Sequence, residues 1–142
     1  MANPVCELLS SKAELERPIS WPPSSAGAVL DFHGVVREDE SGKKISGIEY
    51  EAHATMAQHQ LNKLATAAAD QFGLTELTIR HRVGFVPMGE ASLFVRLAAP
   101  HRQETLKAME WLINELKTKV PIWKHPRVAE ESQSSTAEMA RA

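Results

Sequence analysis

Residues 76–99, ELTIRHRVGFVPMGEASLFVRLAA, carry the pattern that decides the fold. Leu77, Ile79, His81 and Val83 alternate with Thr78, Arg80 and Arg82, the period of two expected of a strand with one face on a core and the other in water. Pro87-Met88-Gly89 reads as a turn, and Ala91–Ala99 as a second strand whose mixed pattern implies burial of much of both faces. Beyond Pro100, the spacing of Leu106, Met109, Leu112, Ile113 and Leu116 predicts an amphipathic helix. It must stop before Pro121, because the residue preceding a proline disfavours the α region. On the other side, Ala57, Leu61, Leu64, Ala68 and Phe72 predict a helix ending at Gly73, with Gln58, Asn62, Lys63 and Asp70 on its solvent face. Upstream, GAVLDFHGVV from Gly27 and ISGIEYEA from Ile45 read as two strands of a hairpin with a polar loop at 38–44. A short strand is expected at Val5–Leu9, and Trp21-Pro22-Pro23-Ser24-Ser25 reads as a connector. The order of strand, hairpin, helix, two strands and helix predicts an α+β domain with helices packed on a largely antiparallel sheet. That domain is expected over 1–126, followed by a polar, mobile tail at 127–142 with at most a weak terminal helix.

The whole chain has 142 residues, room for one core and too few for two ordinary domains. With 43% apolar and 24% charged residues, the composition is that of a globular protein. A net charge of −2 supplies no basic surplus to advertise nucleic acid or an anionic membrane, so any anion site must be local. No apolar run approaches the roughly 20 residues that span a bilayer, and the N-terminus lacks the basic-then-apolar pattern of a signal peptide. One cysteine, Cys6, cannot form an internal disulfide, and a reducing cytoplasm is the expected setting.

Six histidines show no HxH, HExxH or His-x3-His spacing, so no metal site is expected. There is no GxSxG elbow, GxGxxG or P-loop, no cofactor is expected, and Cys6 reads as a small apolar filler. What remains is cationic. Arg37 closes a strand, where it serves either as an edge charge or as a ligand-binding group. His101 and Arg102 open the second long helix, a place where cations gain nothing from the dipole unless an anion sits between. Lys117 and Lys124 bracket KTKVPIWK; Lys117 either complements the helix C-terminus or acts chemically. A lysine held against the flat wall of Trp123 would lose hydration and become useful in proton transfer, or the loop would simply tuck Trp123 into the core. Sixteen residues separate His101 from Lys117, so a helix between them spans about 24 Å, too far for one small ligand to touch both ends.

GAVLDFHGVVR, IEYEAHATMA, IRHRVGFVPMGEASLFVRLAAPHR and LKTKVPIWK, in this order over Gly27–Lys124, resemble the catalytic large subunit of molybdopterin synthase. The resemblance implies an α/β hammerhead-type fold and a homodimer flanked by two small ubiquitin-like sulfur carriers, together a heterotetramer. It also implies the transfer of sulfur from the carrier's C-terminal thiocarboxylate to cyclic pyranopterin monophosphate, forming the dithiolene of molybdopterin. By motif position Lys117 and Lys124 would be catalytic, and Arg37, His101 and Arg102 would bind the pterin and its phosphate. The sequence departs from the family after Lys124, where HPRV replaces the usual acidic residue, in a tail without tryptophan, and at Ile113, where some members carry methionine. No tail residue is assigned to the site, with Arg127 and Arg141 the ones that could contribute. A non-catalytic relative that binds the carrier or a phosphorylated pterin is the alternative; an RNA-binding module fits the acidic net charge poorly.

Overall fold

The computed structural model describes residues 3–129. Its elements are β1 (Val5–Leu9), α1 (Lys12–Leu15), β2 (Ala28–Val35), β3 (Asp39–Glu40), β4 (Lys43–Ala52), α2 (Ala54–Phe72), β5 (Glu76–Arg82), β6 (Gly84–Pro87), β7 (Ala91–Ala99), α3 (Arg102–Lys119) and β8 (Ile122–Val128). The fold is α+β, as the order of elements predicts, but it is built on two sheets.

The first sheet has the order β1-β5-β7-β2, parallel between β1 and β5 and antiparallel elsewhere. Helices α2 and α3 cover one face, where Leu61, Leu77, Ile79, Val95, Leu97 and Leu112 are wholly buried. Gly73 ends α2 in the left-handed conformation (φ 63°), a geometry glycine adopts without steric cost. Within α3 the buried stripe is Thr105, Ala108, Met109, Leu112 and Leu116. Leu106, expected in that stripe, is 57% exposed; the apolar face lies one residue earlier at this turn, with Thr105 donating to the Arg102 carbonyl at 2.8 Å. Gln58, expected in solvent, is half-buried and ties α2 to β1 by donating to the Cys6 carbonyl at 2.8 Å.

The wet face expected of β5 is not wet. Thr78, Arg80 and Arg82 are all buried, because α1 and the segment after it fold over the outer face of the sheet. Burial of a guanidinium requires partners. Arg80 donates to the Leu15 and Arg17 carbonyls at 3.0 and 2.7 Å and pairs with Glu7 at 3.3 Å, while Arg82 pairs with Glu90 at 2.8 Å.

The second sheet contains β3, β4 and β6 in that order, with β8 also paired to β4. Its core is Val36, Ile45, Ile48, Tyr50 and Val86, and Ile122 packs against this cluster and the main core alike. The expected hairpin between 27–37 and 45–52 does not form: β2 pairs with β7 in the first sheet, and β4 belongs to the second. The hairpin here is β3–β4, closed by Ser41 and Gly42 with φ of 53° and 79°, the two positive values that a tight two-residue hairpin turn requires. Two further elements, β6 and β8, escaped the sequence reading because each is short or proline-bearing. β8 runs to Val128, two residues beyond the predicted domain end, and the rest of the expected tail, 130–142 with Arg141, lies outside the described residues.

Candidate active site

Arg37 follows buried Val36 at the crossing from the first sheet to the second, so its backbone is anchored while its side chain stands in solvent. Lys124 lies in β8 opposite Tyr50 of β4, on the same face of the ladder as that buried tyrosine. These two cations come from segments far apart in sequence and meet at one carboxylate. Glu40 of β3 lies 3.9 Å from Arg37 Nη2 through Oε1 and 3.8 Å from Lys124 Nζ through Oε2. Tyr50 belongs to the same neighbourhood: its hydroxyl ionises above the usual range because burial removes it from water, and the Glu40 charge raises it further. The Tyr50 hydroxyl is 3.0 Å from Ser92 Oγ and its ring meets His81 edge-on at 5.1 Å, which joins the two sheets beneath the cluster.

Lys117 lies exposed in the last turn of α3, seven residues before Lys124 and separated from it by the Val120–Pro121 turn. That turn is held by Val120 N–H donating to the Leu116 carbonyl at 3.3 Å and His53 N–H to the Pro121 carbonyl at 3.3 Å. His101 is the N-cap of α3 with extended backbone and no side-chain capping bond; its Nδ1 is 3.9 Å from Glu104 Oε1. Arg102 follows, exposed and without an ion pair among the described residues. Helix α3 is unbroken from Arg102 to Lys119, so about 22 Å of helix separates Arg102 from Lys117. The chain therefore gathers Arg37 and Lys124 at Glu40 and leaves His101 and Arg102 at the other end of α3.

Two expectations are corrected. Trp123 does not enter the core and does not wall Lys124: it is 51% exposed, and strand alternation turns it to the face opposite Lys124. The Lys124 side chain is 53% exposed, so the desolvation expected of it is not provided within one copy of the chain. Glu40 was hidden because EDESGKK reads as a solvated charged turn. The signal that reveals it is Ser41-Gly42 flanked by three acids and two lysines, the composition of a two-residue hairpin turn between short charged strands.

A cavity of about 390 Å³ lies on the outer face of the first sheet, lined among others by Arg17, Asp31, His33, Arg80, Phe94 and Arg96. None of the five candidate residues lines it, and each of its guanidiniums already has a carboxylate partner, Arg17 and Arg80 sharing Glu7. Arg96 makes two bonds to Asp31, at 2.7 and 2.8 Å, which hold that carboxyl below its usual range, and Arg17 pairs with Glu7 at 2.9 Å. Cys6 is kept a neutral thiol: burial pushes it up to about 11, and it donates to the Leu61 carbonyl at 3.6 Å. Among the described residues no cluster of three or more His, Cys, Asp or Glu could hold a metal, and no described helix is long and apolar enough to cross a membrane.

The family model described as MoaE protein matches residues 7–119. The molybdopterin synthase catalytic subunit of Oryza sativa subsp. indica is 39% identical over 100 residues, 70% of this chain and 52% of that protein. The subunit of the same name from Pyrococcus abyssi is 36% identical over 101 residues, 71% of this chain and 68% of its own length. This chain thus spans about half the length of the first curated relatives it matches. The crystal structure of molybdopterin synthase from Staphylococcus aureus superposes with a TM-score of 0.71 at 29% identity, covering 90% of this chain and 91% of that one. In the complex of subunits 1 and 2 of molybdopterin-converting factor from Helicobacter pylori, a chain with 24% identity shares the fold at a TM-score of 0.61, over 80% of this chain and 82% of its own. A match over most of the described residues, together with relatives above 30% identity, establishes that the chain belongs to the MoaE family.

Proposed function

We propose that this protein is the catalytic subunit of a molybdopterin synthase, a sulfurtransferase that receives sulfur from the thiocarboxylated C-terminus of a small ubiquitin-like carrier and installs it on cyclic pyranopterin monophosphate. The observation that carries the reading is the convergence of Arg37 and Lys124, two candidate residues from separate segments, on one carboxylate. The substrate's phosphate needs cations, and bonds between charged partners are stronger than neutral ones. Arg37, His101 and Arg102 supply them. Sulfur attack and loss of oxygen need a proton donor and acceptor, and this reading assigns those roles to Lys117 and Lys124. Burial of Cys6 as a neutral thiol supports sulfur arriving on a partner rather than on this chain.

The working assembly in this reading is a homodimer flanked by two carriers, in the cytoplasm, where the lone cysteine stays reduced. The separation of Arg102 from Lys117 along α3 supports a site shared across a two-fold axis, with His101 and Arg102 of one protomer beside Lys117 and Lys124 of its partner. The open strand β8, with Trp123 and Val128 exposed, supports a second copy lying close to Lys124.

Mixing the protein with thiocarboxylated carrier and pterin and weighing the pterin by mass spectrometry tests the activity. A product carrying two sulfurs is expected; bound carrier with unchanged pterin would instead favour the non-catalytic reading. Arg102→Ala should weaken pterin binding by roughly ten- to a hundredfold, the loss of one charge-assisted bond. Calorimetry showing an unchanged affinity would remove Arg102 from the site.

A further inference from the structure

We infer that Glu40 is a positioning residue of this site, holding Arg37 and Lys124 together and aiming them in the free protein. The inference rests on the assignment of those two cations to the site.

The two cations are long, flexible side chains, with Arg37 79% and Lys124 53% exposed, and nothing else among the described residues pairs with either. Left alone they would sample many rotamers and repel one another. Glu40 is the anchored member, its side chain only 25% exposed and its backbone locked in the β3–β4 hairpin opposite Lys43. Its two oxygens face different partners, Oε1 towards Arg37 and Oε2 towards Lys124, so one carboxylate lies between both heads. Asp39, one residue earlier, points to the other face and meets Lys44 at 3.8 Å, so hairpin alternation selects Glu40 for this task.

A carboxylate is otherwise out of place here. Beside a site for a phosphate-bearing substrate it repels the ligand, and two long, exposed ion pairs add little to folding. Its presence is accounted for if it orders the cations at some expense in affinity. When the anionic substrate arrives, Arg37 and Lys124 exchange one negative partner for another without having to be gathered first, which is preorganisation of the kind that lowers barriers.

A split between binding and turnover tests the assignment. Glu40→Gln keeps shape and removes charge. It should lower kcat about three- to tenfold, as expected when a catalytic group loses its aim, while pterin affinity stays level or tightens by up to about fivefold because a repelling charge is gone. The melting temperature should not change. Glu40→Asp keeps the charge one methylene further back and should recover part of the lost turnover. A Glu40→Gln protein with wild-type kcat, or one in which kcat, affinity and melting temperature fall together, would overturn the inference. Arg37→Ala and Lys124→Ala, assayed in parallel, separate this from failure of the functional reading. If both leave turnover intact, the site is elsewhere and Glu40 positions nothing; if both reduce it while Glu40→Gln does not, only the role of Glu40 is lost.

Discussion

Lys117→Ala is expected to lower sulfur transfer by at least about a hundredfold while carrier binding changes little, the loss typical of removing a proton-transfer group. Lys117 lies exposed in the last turn of α3, outside the stripe of Thr105, Ala108, Met109, Leu112 and Leu116 that packs on the core. Truncation of an exposed side chain there should alter stability by no more than about 0.5 kcal/mol, so unfolding could not account for lost turnover. The neighbouring backbone is fixed by the Val120 and His53 hydrogen bonds around Pro121 and should survive the substitution. Lys124→Ala should be severely impaired as well. Lys124→Arg separates charge from proton transfer, since a guanidinium preserves the first and cannot perform the second at neutral pH. Single-turnover assays with preloaded carrier measure both, and near-normal rates for Lys117→Ala would remove it from the chemistry.

The helices and the main sheet were legible because periodicity reports burial. The stripe from Ala57 to Phe72 and its stop at Gly73 are where the pattern places them, and Ala91–Ala99 is buried on both faces. What failed were inferences about which strand meets which. Strands 28–35 and 43–52 are neighbours in sequence with a charged link between them, the pattern of a hairpin. Yet the chain changes sheets at Val36, and the tight turn sits inside the link at Ser41-Gly42. Alternation in β5 likewise marked Arg80 and Arg82 as one face without revealing that Glu7, Glu90 and the carbonyls of Leu15 and Arg17 would cover it. Such cover is tertiary and leaves no local trace.

The candidate site divides along the same line. Its cations were visible as residues in motifs: Arg37, His101 and Arg102, and Lys117 and Lys124. Their arrangement was not: the meeting of Arg37 with Lys124 depends on Glu40, which a hairpin hidden in a charged run delivers. The helix between Arg102 and Lys117, in contrast, fixes a length that sequence and structure report alike, and that length makes sharing between protomers the central claim.

Complementation between two impaired proteins, assayed at limiting pterin, tests that claim most directly. In a two-fold dimer with shared sites, a heterodimer of Lys117→Ala and Arg102→Ala protomers holds one doubly damaged site and one intact site. Co-expressing the two with different tags, purifying through both tags and assaying carrier-dependent sulfur transfer should give about half the wild-type activity per dimer. Were each site built from one protomer, every site in that heterodimer would carry a lesion, and activity no higher than that of either parental mutant would contradict the shared site.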